Sequence, residues 1–378
     1  MRKLDVVDAD GHILEPADLW VRELPAKDKA RAMRIVYDKE KDGEGLWVED
    51  RCILQAPSAG FIGAARSTQE QRRSQGRGLR YDTFSPRAAL FPKERVEELD
   101  REGIDLAVLY PSIGLFFAGI RDPQLADATC RIYNDWLAEY CRYAPDRLVG
   151  AAALPMQDPK AAAREAERAI GDLGMRGVFL RPNTINDYFL HSPEYDALWG
   201  VLQEAGVPVG LHPAGADAAC WGAPQFYQRW GRIPGMYKPM VFLFDNYCAF
   251  STMVGYGILE RFPRLKVLIL ESGSGWLLHW LDQMDHWREV KPHEGQPLKP
   301  SEYFARQCYI SADPDERALP LVAETIGDDK IVWASDYPHI DVTAPSVVAE
   351  LREHLASLPK RTQKKILGTN AVNIYGLN

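Results

Sequence analysis

The stretch Leu4-Asp5-Val6-Val7-Asp8-Ala9-Asp10-Gly11-His12 opens as a short apolar run and ends in side chains able to hold a metal. Seven further runs resemble it: Leu106–Tyr110, Leu148–Leu154, Gly177–Leu180, Val207–Leu211, Val267–Leu270, Tyr309–Ser311 and Ile331–Ala334. Most are uninterrupted rather than alternating, the pattern of strands buried on both faces. Helical patterns lie between them, among them Pro159–Leu173, Pro193–Ala205 and Pro314–Ile326. Four helix starts are expected where an acceptor precedes proline, at Asp122-Pro123, Asp158-Pro159, Ser192-Pro193 and Asp313-Pro314. The acceptor satisfies an orphan N–H at the cap, and proline has none to satisfy. Repeated strand-then-helix units mean parallel strands joined by crossovers. Eight such strands predict a closed (β/α)8 barrel rather than an open doubly wound sheet.

Two segments interrupt the repeat, one at about 20–93 after the first strand and one at about 213–248 after the fifth. The first contains the stretch GAARSTQEQRRSQGRGLR, in which Arg66, Arg72, Arg73, Arg77 and Arg80 face the single acid Glu70. It reads either as a mobile lid carrying positive charge toward an anionic substrate or as a solvated, flexible loop. The second is aromatic, with Trp221, Phe226, Tyr227, Trp230, Tyr237, Phe242 and Phe244, and would wall a substrate pocket or form a subunit contact. One large domain spanning residues 1–378 accommodates both as insertions.

The 378 residues are 46% apolar and 26% charged, as in ordinary soluble globular chains, which excludes a disordered, collagen-like or coiled-coil protein. A net charge of −8 provides no global attraction for nucleic acid or an anionic membrane. No apolar stretch is long enough to span a bilayer, and the charged start MRKLDVVDADGH lacks the apolar core of a signal peptide. The six cysteines are scattered without a Cys-x-x-Cys pair, as reduced structural thiols of a cytoplasmic protein would be. No dinucleotide fingerprint is present, since Gly273-Ser274-Gly275 lacks a third glycine at the right spacing.

Active sites of (β/α)8 barrels sit at the carboxyl ends of the strands, so the residues there matter most. Asp10 and His12 follow the first run and, two apart on extended chain, point to one side. His212 follows the fifth run, Glu271 the sixth and Asp336 the eighth. Singly, each has an ordinary reading as a turn, a cap or a satisfied core residue. Jointly they offer Asp10, His12, His212 and Asp336, a mixed nitrogen and oxygen set suited to one Zn2+, Mn2+ or Fe2+ with a position left for water or substrate. Arg181, after the fourth run, is placed either to fork onto a substrate carboxylate or to form a rim salt bridge. His339, three residues past Asp336, would orient substrate, support the ligands or merely cap a turn. His279 and His286, on a Trp/Leu-rich helical stretch, read as packing or surface groups.

The pattern Asp10-Gly11-His12, Glu15-Pro16, His212 and Ser335-Asp336-Tyr337-Pro338-His339 resembles the amidohydrolase superfamily. It is closest to the amidohydrolase-related group that contains aminocarboxymuconate-semialdehyde and γ-resorcylate decarboxylases. The resemblance covers residues 4 to 375. It implies a distorted (β/α)8 barrel with one divalent metal held by Asp10, His12, His212 and Asp336, and it suggests a homodimer. Two positions depart from the commoner pattern. Asp10 replaces a histidine, which adds charge and favours Mn2+. Glu271 stands where many members carry a histidine that moves a proton, a task glutamate can perform if its pKa is raised; its ordinary reading is a brace for the helix opening near Ser274.

The implied activity is non-oxidative decarboxylation of a small carboxylated substrate, aromatic or unsaturated, with Asp336, Glu271 and His339 as catalytic groups and Arg181 on the substrate. One alternative is a hydrolase that uses metal-activated water on an amide, ester, lactone or activated C–C bond. Another is a barrel that binds a ligand without turning it over.

Overall fold

The computed structural model describes residues 3–65, 67–215, 237–340, 342 and 346–377. Eight parallel strands form one sheet in chain order: β1 (Val7–Ile13), β2 (Leu106–Pro111), β3 (Leu148–Ala153), β4 (Gly177–Leu180), β5 (Val209–Leu211), β6 (Val267–Ile269), β7 (Cys308–Ala312) and β8 (Ile331–Trp333). Nearly every strand residue is buried, because helices cover the outside and side chains fill the inside. Two backbone hydrogen bonds join the ends of the sheet. Asp336 N–H donates to Asp10 C=O at 3.0 Å, and His12 N–H donates to Tyr337 C=O at 2.8 Å. The strands and flanking helices thus make the expected (β/α)8 barrel.

The first strand differs from the sequence expectation. It begins at Val7 rather than at Leu4 and runs on through the polar residues to Ile13, because Gly11 and His12 pair with Leu109 and Tyr110 of β2. The register shifts between Asp8 and Gly11, so the metal-capable residues sit inside a bulged strand end.

Two of the four proline starts act as expected. Asp122 accepts from Gln124 and Leu125 N–H at 2.8 and 3.4 Å, and Asp158 accepts from Lys160 and Ala161 N–H at 2.9 and 3.1 Å. Ser192 instead turns its hydroxyl back to Phe189 N–H, and Pro193 opens only a short 3-10 turn. Asp313-Pro314 opens no helix; residues 313–318 are turns and the helix runs Leu319–Ile326. Glu316 in those turns is recruited elsewhere, as described below.

The first insertion is built on a three-stranded antiparallel sheet, Arg34–Asp38, Gly43–Val48 and Arg51–Leu54, followed by short helices. Its arginine-rich stretch is structured rather than a bare loop. Thr68 and Gln71 form a reciprocal cap on helix Gln69–Ser74, and the Arg80 guanidinium lies 3.9 Å over the Tyr37 ring. Composition hid this because each element is only a few residues long. Arg66 lies outside the described residues, as do Trp221, Phe226, Tyr227 and Trp230 of the second insertion. That insertion gives way to the helix Tyr237–Gly255, which begins before the expected boundary at 248. The five described cysteines, Cys52, Cys130, Cys141, Cys248 and Cys308, are free thiols.

Inside the barrel, Tyr110 and Tyr375 share a 2.8 Å hydroxyl contact, and Tyr375 O–H donates to Ala9 C=O at 2.8 Å. A Cβ at Gly210 would lie 2.7 Å from the Tyr110 hydroxyl oxygen, so this strand passes the rigid ring only as glycine. Gly210→Ala is expected to cost roughly 1–3 kcal/mol of stability, as overpacking a core does, seen as a lower denaturant midpoint at unchanged slope.

Candidate metal centre

β1 and β5 deliver the centre. Asp10, His12 and His212 are fully buried, and their ligand atoms lie within 4.8 Å of one another. His12 Nδ1–H donates to Pro111 C=O at 2.8 Å, and His212 Nδ1–H to Pro213 C=O at 2.7 Å. A carbonyl only accepts, so each ring carries its proton on Nδ1 and presents the Nε2 lone pair inward. The two Nε2 atoms face each other at 3.1 Å. Asp10 stands beside them at 3.5 Å from His12 and 3.4 Å from His212, and neither of its oxygens has a hydrogen-bond partner among the described residues. Two opposed lone pairs and a bare buried carboxylate repel one another unless a positive charge sits between them. These donors therefore fit a divalent cation.

Asp336 joins through His12. Its Oδ1 lies 3.2 Å from His12 Nε2 and 2.7 Å from His339 Nδ1, and His12, Asp336 and His339 form a second group within 4.8 Å. The four expected ligands thus meet as two overlapping groups that share His12. The electrostatics agree with a site for positive charge. Burial works to lower the His212 pKa, yet Asp10 and then Glu271 and Asp336 outweigh it and raise it to about 9, so the Nε2 lone pair faces a field that favours a positive charge there, whether a proton or a metal ion. His12 is pushed down to about 4 by burial and by the neighbouring His339.

Glu271 and Asp336 both stand just past strand ends with φ of +50° and +54°. Non-glycine residues adopt this left-handed backbone at a cost of about 1–3 kcal/mol each, and such strain gathers at functional sites. Glu271 Oε2 comes within 3.5 Å of His212 Nδ1. Its own N–H donates to Ser311 Oγ at 3.3 Å, and Asn246 holds the next turn through Leu270 C=O at 2.8 Å and Ser272 Oγ at 3.0 Å. The helix start that Glu271 was free to brace is capped by Glu316. That carboxylate accepts Ser274 N–H at 2.9 Å and Gly275 N–H at 2.7 Å.

A cavity of about 560 Å³ opens over Glu271, Ser335 and Asp336, walled by Phe242, Leu243, Trp276, Asp313 and Glu316 among others. None of the described arginines of the 63–80 stretch lines it. Arg181 is buried away from the cavity lining, where its two terminal nitrogens donate to Leu115 C=O at 2.8 Å and Ala214 C=O at 3.0 Å. It ties the loops after β2 and β5 together. His279 and His286 are exposed on the helix Trp276–Val290.

Sequence reasoning missed three supporting residues. Asp8 is buried beneath the seam, where it accepts Ser335 N–H at 2.9 Å and Ser335 O–H at 2.6 Å; burial raises its pKa to about 6. Its place two residues before Asp10 in an apolar run was the available signal. Ser112 directly follows the second strand and contacts His339 Nε2 at 3.0 Å; the strand-end rule would have found it. Glu316 acts from a loop with no local signature. Glu15, noted only for its motif, is buried and accepts Ser112, Ile113 and Gly114 N–H at 3.2, 2.9 and 2.9 Å; burial raises its pKa to about 7.

The family model for amidohydrolases matches residues 7–377, and the chain belongs to that family. It is 27% identical over 293 residues to a 2-amino-3-carboxymuconate-6-semialdehyde decarboxylase of Dictyostelium discoideum, covering 76% of this chain and 77% of that protein. It is 28% identical over 298 residues to a gamma-resorcylate decarboxylase of Polaromonas, covering 75% of this chain and 87% of the relative. A dihydroxybenzoic acid decarboxylase of Polaromonas, solved with bound manganese and the inhibitor 2-nitroresorcinol, superposes with a TM-score of 0.66 at 22% identity, over 100% of this chain and 98% of that one.

Replacing Asp8 by alanine strands the buried Ser335 N–H and O–H groups. Such a variant is expected to lose about 2–3 kcal/mol of stability, measured by chemical denaturation, because each orphaned donor keeps its desolvation penalty.

Proposed function

We propose that this chain is a divalent-metal-dependent carboxy-lyase that removes CO2 from a small carboxylated, aromatic or unsaturated substrate. The observation that carries this reading is the bare, buried carboxylate of Asp10 set against two inward-facing imidazole lone pairs, in a family whose similar members include decarboxylases. Asp10, His12, His212 and Asp336 would hold the ion, which supplies Lewis acidity toward a substrate oxygen. Of the ions this donor set admits, Mn2+ suits its two carboxylates better than Zn2+ or Fe2+, and manganese is what the superposed Polaromonas decarboxylase holds.

The remaining work falls to side chains. The C–C bond to the leaving carboxylate breaks with its electron pair left on the substrate carbon, and that carbon takes a proton as CO2 departs. Glu271, at the cavity and beside His212, is placed to bring that proton. Asp336 and His339 lie on the other side of the centre as a second route for it. Phe242, Leu243 and Trp276 exclude water from the breaking bond. Arg181 would fork onto the substrate carboxylate, and its bonds to the Leu115 and Ala214 carbonyls support a further part in fixing the loops that frame the site. We further propose a single domain over residues 1–378, acting as a cytoplasmic homodimer on a small molecule.

Purified protein is expected to carry close to one equivalent of transition metal by elemental analysis. His212→Ala should lose it while keeping its circular dichroism; full metal content in that variant would remove His212 from the ligand set. With a panel of hydroxylated and unsaturated carboxylic acids, products should be lighter by about 44 mass units; a gain of about 18 would instead report addition of water by a metal-activated hydroxide. Glu271→Gln should keep the metal and lose roughly 10²–10⁴-fold in kcat, the usual contribution of a positioned proton donor.

A further inference from the structure

Trp276 stands in the wall of the cavity, five residues after Glu271. The one polar atom of its side chain is already engaged, since Nε1–H donates to Gly273 C=O at 2.9 Å. The half-buried indole therefore offers the cavity ring carbon and no hydrogen bond. Tyr247 packs against it with centroids 4.6 Å apart and planes at 62°. Tyr247 meets Trp280 in the same way at 4.7 Å and 72°, and Trp280 Nε1–H is tied to Ser251 Oγ at 2.9 Å.

The main chain that carries Trp276 is held from two sides. Glu316 accepts Ser274 and Gly275 N–H, and Asn246 donates to Leu270 C=O and Ser272 Oγ. Asn246 and Tyr247 are neighbours on the helix Tyr237–Gly255, so one helix anchors both the turn and the ring. The same helix brings Phe242 and Leu243 to the cavity. A tryptophan side chain has two torsions, and here its hydrogen bond and its ring contact restrain both.

We infer that Trp276 is a specificity-determining residue of this cavity: its indole is a rigid platform on which the substrate lays a flat ring, in the space that Glu271 also faces. A planar π system stacked on the indole gains more than the area it buries, whereas a saturated or non-planar body gains area alone. The platform is set before binding, so ordering the side chain does not offset that gain. The inference rests on the reading of this cavity as the substrate site, as proposed above.

Benzoate and cyclohexanecarboxylate carry the same head group on rings of equal carbon count, and only the first ring is flat. The saturated ring is the more apolar, so burial alone gives benzoate no advantage. A bound ion meets the same carboxylate in both, so its contribution cancels from the ratio of affinities. By calorimetry, wild-type protein should bind benzoate about fivefold more tightly, the scale of a ring-pair preference. Trp276→Leu, an apolar wall without a π face, should bring the two acids within about twofold, and Trp276→Phe should retain most of the preference. Circular dichroism checks that both variants are folded. Equal binding of the two acids by wild-type protein, or an undiminished preference in folded Trp276→Leu, overturns the inference. If substrates show no CO2 loss while the preference and its dependence on Trp276 hold, the carboxy-lyase reading fails and the platform stands. CO2 loss without any preference for benzoate overturns the platform alone.

Discussion

Two backbone hydrogen bonds hold this site in being: Asp336 N–H to Asp10 C=O, and His12 N–H to Tyr337 C=O. They join the first and last strands of the barrel, and the residues they join are the ones whose side chains converge. A sheet left open at that point would separate Asp10 and His12 from Asp336 by the width of the gap. The supporting contacts gather at the same seam. Asp8 grips Ser335 from below, and the Arg95 guanidinium lies 4.8 Å over the Tyr337 ring. Barrel closure and ligand assembly are one event.

The seam brings together more negative charge than the interior tolerates alone. Asp8, Asp10 and Glu15 are fully buried, and Glu271 and Asp336 nearly so. Each is answered differently. Glu15 is satisfied by backbone N–H groups and Asp8 by Ser335, whereas Asp10 is left to the imidazoles. Satisfied carboxylates build structure, and the unsatisfied one marks where a cation belongs. The left-handed backbone at Glu271 and Asp336 adds strain at the two positions nearest the proposed chemistry, which the packed barrel beneath them sustains.

The barrel was legible because its strands are continuous apolar runs and its crossover helices carry cap-and-proline starts at Asp122 and Asp158. The positions of Asp10, His12, His212 and Asp336 followed from the rule that strand ends share one mouth. What stayed hidden depends on long-range partners. Asp313-Pro314 has the local signature of a helix start, but the turn after it sends Glu316 to cap a helix whose sequence lies about forty residues earlier. The Leu115 and Ala214 carbonyls that meet Arg181 could not be read from its strand-end position, because only the fold brings them to it. Ser112 has no local signal beyond its position, since its partner His339 lies 227 residues away. The small antiparallel sheet of the first insertion escaped notice because its strands are too short for periodicity to register.

Glu316 has a consequence for how this pocket can diversify. The carboxylate that caps the start of the helix Trp276–Val290 also stands in the wall of the cavity, on the loop after β7. Pro314 and Asp315 line the same cavity, so its shape can change there while Glu316 keeps the helix start. A lineage altering this pocket would be obliged to leave Glu316 alone.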